Sequence, residues 1–538
     1  YSNFSVAVSE DGESWSDDYI ADMAEGECFQ WKYLTPSYMG KDKYGNDKRF
    51  FYSQPIKFSA RYVRITSQQI GLKMNEAIFQ DANGDRIPAT VIAQLNVMEE
   101  STLYSDANNI FDEQDTLEGL PSWWNSTYFD EIYHARTAYE HLHGTAPYET
   151  SHPPLGKVIM SLGIAIFGMV PFGWRVMGAL AGILMLPAMY LLGKQLTKKS
   201  SFAFAAALML ALDCQHFTQT RIATIDSYPV LFILFSWLFM LRFMQRDIVR
   251  LPVKKLLPDL ALSGLFMGLG IASKWIGVYS GAGLAVAFFW TIFRHMRMAA
   301  TSAHLLKTDK SLSDEDRKIL TLRDQTTMKR VLVICLWCLL FFVAIPLAIY
   351  LLAYIPYFAY AHFDNLKDYL TAVWNAQLSM FSYHSKPGLG MDHPFYSPWY
   401  EWLFNQRPMY YASPTYVNTP GWSYAIWCFG NPAIWSAALV GFAYTVFMWA
   451  KRHRYTLRKD GETLHWTAAD WDVTMPFLLL SALSQFLPWV LVPRGTYIYH
   501  YFATTPFLML SITVLFRDIT RRFPKTGKWL LGIFLGVC

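Results

Sequence analysis

Asp130 and Glu131 stand side by side in Tyr128-Phe129-Asp130-Glu131-Ile132-Tyr133-His134, an acid pair among aromatic residues on the threshold of a long apolar region. Such a pair can be a catalytic base with its partner, a metal site or a solvated loop. Further along lie His152 in Ser151-His152-Pro153-Pro154-Leu155-Gly156-Lys157, then Arg175, then Arg221 and Asp226 in Arg221-Ile222-Ala223-Thr224-Ile225-Asp226-Ser227. Lys274 follows in Ser273-Lys274-Trp275, and Arg494, Tyr499 and His500 in Arg494-Gly495-Thr496-Tyr497-Ile498-Tyr499-His500-Tyr501. Snorkelling at an interface would explain any one of these charges. Ionisable groups at membrane depth are otherwise functional candidates by default.

Together they suit group transfer from a lipid-linked phosphate. The phosphate leaves as an anion and needs cations around it, Arg as a planar fork and Lys as a point charge. An acceptor hydroxyl holds its proton too tightly at neutral pH and needs a carboxylate within hydrogen-bond reach. Asp130 and His134, spaced i, i+4, would share one helix face and could offer a metal two ligands. The cations can neutralise the phosphate without one, so no metal or other cofactor is expected. His141 and His143 read as a polar loop surface.

The elements that must position these residues are mostly membrane spans. The chain has 538 residues, 53% hydrophobic, 17% aromatic and only 16% charged. That charged share is far below the roughly 25% of soluble domains. A net charge of +4 is too small to indicate nucleic-acid binding. Apolar runs approaching or reaching the ~20 residues of a bilayer span occur at Trp174–Leu192, Phe202–Asp213, Tyr228–Met244, Leu260–Ala272, Ile276–Phe293, Val331–Phe358, Pro432–Trp449, Met475–Leu491 and Tyr501–Phe516. Another begins at Trp529 and runs to Cys538, so a segment of a longer protein is expected. Cys335 and Cys338 lie within an apolar run and read as helix packing rather than redox or metal ligands.

Basic clusters at Lys194/Lys198/Lys199, Arg246/Arg250/Lys254/Lys255, Arg294 to Arg330, Lys451/Arg452/Arg454/Arg458 and Arg517/Arg521/Arg522 then fall on one side of the membrane. The positive-inside rule makes that side cytoplasmic. The acid pair and the candidate cations face the other side. The domain reading is a β-sandwich over 1–98, external; a linker over 99–126; an external catalytic loop over 127–173 with an interfacial helix within His152–Met169; a transmembrane core over 174–358; an external loop over 359–431; and a C-terminal transmembrane region over 432–538.

Short strands at Phe4–Ser9, Ala60–Ile65 and Met74–Phe79, with turns at Glu10-Asp11-Gly12 and Asp81–Asp85, carry the sandwich expectation. Ser9-Glu10-Asp11-Gly12-Glu13-Ser14-Trp15, Ala60-Arg61-Tyr62-Val63-Arg64-Ile65 and Asn75-Glu76-Ala77-Ile78-Phe79 resemble the second half of a discoidin-like (F5/8 type C, galactose-binding-like) domain. That resemblance implies carbohydrate binding, with a ligand-free spacer as the alternative.

A second resemblance covers roughly Ser126 to the end. Phe129-Asp130-Glu131-Ile132-Tyr133-His134-Ala135-Arg136, His152-Pro153-Pro154-Leu155-Gly156-Lys157 and Arg175 resemble the first external loop of the protein O-mannosyltransferase family (glycosyltransferase family 39, GT-C fold). The Arg221–Ser227 and Ser273–Gly277 motifs resemble its next two external turns. His393–Trp399, Asn405–Tyr411, Gly430–Trp435 and Arg494–Tyr501 resemble its four-helix C-terminal region.

The resemblance implies a polytopic α-helical GT-C membrane enzyme in the bacterial cell membrane, with its β domain and active site extracytoplasmic. It would move mannose from polyprenyl-phosphate mannose to Ser or Thr of exported protein, with inversion. Asp130, Glu131 and Arg175 match the family's catalytic residues. Lys274 and Arg494, with Arg221 beside them, are expected at the lipid phosphate, and His152, Asp226, Tyr499 and His500 are further site candidates. Eukaryotic members act as dimers, so a homo- or heterodimer is within the expectation. Eukaryotic members also carry MIR repeats in the large external loop; 359–431 is too short for them, as in a bacterial member. The β domain departs from the family pattern and leaves a glycan, lipid or wall polymer open as the acceptor. A non-enzymatic sugar-binding receptor or transporter is the reading from another class.

Overall fold

A computed structural model of the chain describes residues 2–17, 19–23, 31, 37–41, 47–51, 56–67, 74, 76–81, 83, 85–95, 106–112, 114–116, 123–412, 425–451, 457–460, 463–466 and 472–538. Asn75 and Gly84, much of the 99–126 linker, residues 413–424 of the external loop, and Arg452 and Arg454 of the fourth basic cluster lie outside the described residues. The chain forms two compact units. One comprises residues 1–136, 169–171 and 411–426, the other residues 137–168, 172–410 and 427–538.

The first unit is built on small antiparallel sheets. β1 (Ser2–Ser9) lies between β2 (Tyr19–Met23) and β5 (Tyr62–Ser67), with Val6 opposite Tyr19 and Ile65. Alternation along β1 and β5 puts Phe4, Val6, Val63 and Ile65 into one apolar cluster with Met74. β3 (Ser37–Lys41) pairs with β4 (Asp47–Phe51), and β6 (Phe79–Gln80) with β7 (Arg86–Ile87). Of the described residues in the expected strand at Met74–Phe79, Phe79 alone lies in a strand. The turn after β1 is tied by Asp11, whose carboxylate accepts from the Glu13 and Ser14 amides, each at 2.8 Å. Those bonds hold its pKa down to about 2. The unit closes with the start of α1 (Glu131–Leu142).

The second unit is helical. α2 (Leu155–Phe167) starts directly after Pro153-Pro154. α3 (Pro171–Thr197), α4 (Ser200–Ala211), α5 (Cys214–Arg221), α6 (Ser227–Met244), α7 (Leu257–Ser273) and α8 (Ile276–Thr308) follow. α9 (Asp314–Leu339) runs through a π turn at Leu340–Ala344 into α10 (Ile345–Tyr357). α11 (Leu366–Ser385) and the short α12 (Trp399–Trp402) lie within residues 359–431. α13 (Pro432–Lys451), α14 (Thr474–Phe486), α15 (Thr505–Arg522) and α16 (Pro524–Val537) complete the chain.

Six helices among the described residues are long and apolar enough to cross a membrane: α3, α6, α8, the continuous Asp314–Tyr357 helix, α13 and Thr474–Leu491. α4 and α7 are shorter, and much of each is buried. α15 is buried along most of its length, so it tolerates Ser511 and Thr513 by returning their hydroxyls to the carbonyls of Phe507 and Met509.

Candidate functional site

In the first unit the acid pair is set by a strained turn. Phe129 has φ +52°, a left-handed conformation costing a non-glycine residue roughly 1–2 kcal/mol. Its ring stacks on Tyr411 at 4.2 Å. The Tyr128 amide donates to Glu131 Oε2 at 3.1 Å, and the Glu131 amide to the Tyr128 carbonyl at 3.2 Å. This reciprocal pair closes the turn, and Glu131 is fully buried. Asp130 is half-buried and immediately precedes α1, its carbonyl accepting from the amides of Tyr133 and His134. Among the described residues no group of three or more His, Cys, Asp and Glu side chains could hold a metal ion.

In the second unit, segments remote in sequence converge on a cationic cluster. α7 ends at Ser273 and α8 begins at Ile276, so Lys274 sits in a two-residue break. The break is this tight because position 277 is glycine: a Cβ there would lie 2.5 Å from the Ile271 amide nitrogen. Lys274 is buried and its Nζ meets Asp226 Oδ1 at 2.7 Å. Asp226 occupies the position before α6 but caps nothing there; its carboxylate turns to the lysine instead. Lys274 Nζ also lies 5.9 Å from the centre of the Tyr499 ring.

Arg494 comes from a segment pinned to residues 388–397. The Gly388 amide donates to the Pro493 carbonyl at 3.1 Å, Gly495 to Leu389 at 2.7 Å, and Ser397 to Thr496 at 2.9 Å. Gly495 permits the approach, since its Cβ would lie 2.5 Å from the Gly390 backbone. The Arg494 guanidinium is half-buried, 5.9 Å from the Tyr383 ring. No carboxylate pairs with it among the described residues.

Three imidazoles stand among these cations. His152 Nδ1 faces Glu149 Oε1 at 3.1 Å, so that nitrogen carries the proton. Glu149 is also held by Lys157, a fully buried lysine from the first turn of α2 that donates to the Glu149 carbonyl at 2.9 Å as well. His384 Nε2 donates to the Ser151 carbonyl at 2.6 Å, and its ring lies 5.2 Å from that of His152. His500 Nδ1 accepts from the Tyr497 amide at 3.0 Å, and its ring lies 4.4 Å from Tyr499.

Burial lowers all three imidazole pKa values. Glu149 opposes the shift at His152; Lys274 and Arg494 reinforce it at His384 and His500. His384 is pushed down to about 3. At neutral pH the imidazoles are therefore neutral, Lys274 and Lys157 are balanced by Asp226 and Glu149, and Arg494 is the uncompensated charge.

Arg175 lies on the first turns of α3, its guanidinium 5.8 Å from the Trp174 ring. Arg221 ends α5, 5.0 Å from the Phe217 ring, and α5 is tied to the His500 segment by Gln215 Nε2 donating to the Ile498 carbonyl at 2.9 Å. Of the expected residues, His152, Asp226, Lys274, Arg494, Tyr499 and His500 thus gather in the second unit, while Asp130 and Glu131 are ordered by their own turn in the first. Glu149, Lys157 and His384 escaped the sequence reading. Lys157 had a signal in its place as the third residue of the helix after Pro-Pro, and Glu149 in its nearness to His152 and Lys157; His384 acts through a partner that only the fold brings near.

Two family descriptions match this chain. "Dolichyl-phosphate-mannose-protein mannosyltransferase" matches residues 166–366, and "C-terminal four TMM region of protein-O-mannosyltransferase" matches residues 369–538. The chain belongs to the protein O-mannosyltransferase family. Arg175, Arg221, Asp226 and Lys274 fall within the first match, and Arg494, Tyr499 and His500 within the second.

The chain is similar to proteins named polyprenol-phosphate-mannose–protein mannosyltransferase. One, from Mycolicibacterium smegmatis, is 25% identical over 447 residues, 74% of this chain and 78% of the relative. One from Mycobacterium tuberculosis is 24% identical over 457 residues, 76% and 79% of the two chains. One from Corynebacterium glutamicum is 26% identical over 419 residues, 70% and 72%. Among solved structures, a chain of the S. cerevisiae protein O-mannosyltransferase Pmt1-Pmt2 complex bound to the sugar donor superposes with a TM-score of 0.60 at 12% identity, covering 77% of this chain and 85% of that one. This likeness is one of fold: the O-mannosyltransferase family member described here is a multi-pass GT-C protein.

Proposed function

We propose that the protein transfers mannose from polyprenyl-phosphate mannose to Ser or Thr hydroxyls of exported polypeptides, on the extracytoplasmic face of a bacterial cell membrane. Asp130 takes the proton of the acceptor hydroxyl. The freed oxygen attacks C1 of mannose from the side opposite the phosphate, the C1–O bond to phosphate breaks, and the anomeric centre inverts. Polyprenyl phosphate leaves as an anion whose charge is met by Arg494 and Lys274. Glu131, buried and bonded to the Tyr128 amide, holds the turn that presents Asp130. Arg175 is assigned to the reacting groups on its family position.

The observation that carries this reading is electrostatic. Lys274 and Arg494, from segments some 220 residues apart in the chain, act on the same neutral imidazoles, His384 and His500. Of the two, Lys274 pairs with Asp226 whereas Arg494 has no carboxylate partner among the described residues, which suits a site completed by a phosphate rather than by protein.

Membranes carrying the protein, given polyprenyl-phosphate [14C]mannose and a Ser/Thr-rich peptide, should label the peptide. Asp130→Asn should lower the rate by at least about 10²-fold, the lower range for loss of a general base, with the protein still folded. Label reaching only a glycan would replace the polypeptide acceptor by a carbohydrate one. Full activity of Asp130→Asn would remove the assigned base.

A further inference from the structure

α11 touches each polar segment of the cationic cluster. At its N-terminal end Asn365 caps the helix by accepting from the Asp368 amide at 3.1 Å, and the Tyr369 hydroxyl donates to the Leu351 carbonyl of α10 at 2.5 Å. Its inner face buries Val373 and Met380 against Tyr354 and Tyr357 of α10, with Trp275 in the same cluster. In the middle of that apolar contact sits one polar side chain, Gln377.

Gln377 closes a hydrogen-bond relay. The Trp275 indole N–H donates to the Tyr350 hydroxyl at 3.1 Å, which donates to Gln377 Oε1 at 2.5 Å. Gln377 Nε2 donates to the Tyr354 hydroxyl and to the Val373 carbonyl, each at 2.9 Å. Trp275 is the neighbour of Lys274, so the relay joins α11 to the Lys274 break. The C-terminal end of α11 joins the other segments. His384 donates to the Ser151 carbonyl, next to His152. Beyond the helix, Gly388, Leu389 and Gly390 exchange hydrogen bonds with Pro493, Gly495 and Tyr497 on both sides of Arg494. α11 and the turn that follows it are therefore joined to the segments carrying His152 and Arg494, and through Tyr350 to the one carrying Lys274. The Gln377 amide accepts from Tyr350 through its oxygen and donates to Tyr354 through its nitrogen, and an apolar residue at 377 could do neither.

We propose that α11 is a positioning strut that sets the Lys274 and Arg494 segments to the spacing of one lipid-linked phosphate, and that Gln377 is the positioning residue that locks it. This rests on the lipid-phosphate reading above. Such a residue acts on the donor and not on the acceptor, and only through its partners.

The test uses the full chain in lipid nanodiscs, with Gln377→Met, Tyr350→Phe, the double variant and Arg494→Gln as the control for the phosphate reading. Expected are a rise of about tenfold in KM for polyprenyl-phosphate mannose in Gln377→Met, as for one well-made hydrogen bond lost, and an unchanged KM for the peptide. Tyr350→Phe should reproduce most of the effect, and the double variant should be no worse than the worse single one. Hydrogen exchange should rise at residues 149–152, 274–276 and 493–497 in Gln377→Met. If Arg494→Gln raises the donor KM while Gln377→Met leaves it at the parent value, the strut falls and the phosphate reading stands. A uniform fall in kcat with both KM values unchanged also overturns the strut. If Arg494→Gln has no effect on the donor KM, the phosphate reading falls, and unchanged exchange in Gln377→Met then removes the strut as well.

Discussion

His384 shows how burial first, and nearby charge second, sets the protonation of a single side chain. Lys157 pairs with Glu149 and Lys274 with Asp226, and the positive charges of Lys274 and Arg494 add to the effect of burial at His384 and His500. The folded-state pKa of His384 lies near 3, below the ordinary 6.5, and those of His152 and His500 are also lowered. The unfolded chain therefore binds more protons than the folded one between these values. The stability these neutral imidazoles allow is fully present above pH 6.5 and is lost as pH falls towards the folded pKa. Each such proton corresponds to about 1.4 kcal/mol per pH unit. His384→Gln keeps a donor for the Ser151 carbonyl but cannot titrate. Its unfolding midpoint, followed between pH 7 and pH 4, should fall less steeply than that of the parent by one proton's share. Equal slopes would show that His384 is not among the groups that charge on unfolding.

At the scale of elements, the break between α7 and α8 controls where Lys274 stands. A Cβ at Gly277 would meet only backbone, the Ile271 nitrogen at 2.5 Å and the Gly270 carbonyl carbon at 2.6 Å, so the helix ends must part. Gly277→Ala should cost about 1–3 kcal/mol, the range for overpacking, and should raise the donor KM with the acceptor KM unchanged. Gly281→Ala is the control, because its Cβ would first meet the flexible Met267 sulfur at 3.1 Å. Equal behaviour of the two variants would detach Lys274 from this packing.

The spans were legible in the sequence, but their lengths were not. Ile276–Phe293 is apolar, yet α8 continues to Thr308, because hydropathy marks membrane depth while the helix runs on into its basic turns. Likewise the run Val331–Phe358 is the apolar end of a helix that begins at Asp314. α11 was read only as loop. Its apolar residues serve both a protein face and an exposed stripe of Leu370, Trp374, Leu378 and Phe381, which blurs the period, and only the Asn365/Asp368 cap marks its start. The acid pair and the cations were visible as residue types. Their partners were not, since the Lys274–Asp226 and His384–Ser151 contacts bridge 48 and 233 residues.

Across the whole membrane region, charge is sorted by helix end. Asp226 precedes α6, Lys274 follows α7, His384 lies in the last turn of α11, and His500 lies in the 3-10 turn Ile498–Ala503 that leads into α15. The opposite ends carry the basic turns, and these are knitted to acids and carbonyls rather than left to repel. Arg242 and Arg246 meet Asp259 at 3.0 and 2.5 Å, Arg323 meets Asp247 at 2.7 Å, and Arg330 donates to the Ile248 carbonyl at 2.9 Å. With the basic turns cytoplasmic, Ser311, between α8 and α9, must face the cytosol, and Lys386, just after α11, must face outward. Single cysteines at Ser311 and Lys386, placed in a background in which all six native cysteines are replaced by serine, test this with a membrane-impermeant maleimide. Lys386→Cys should label in intact cells and Ser311→Cys only after permeabilisation. The reverse pattern would put the cationic cluster on the cytoplasmic face, where exported polypeptides are not available as acceptors, and would overturn the proposed acceptor along with the orientation.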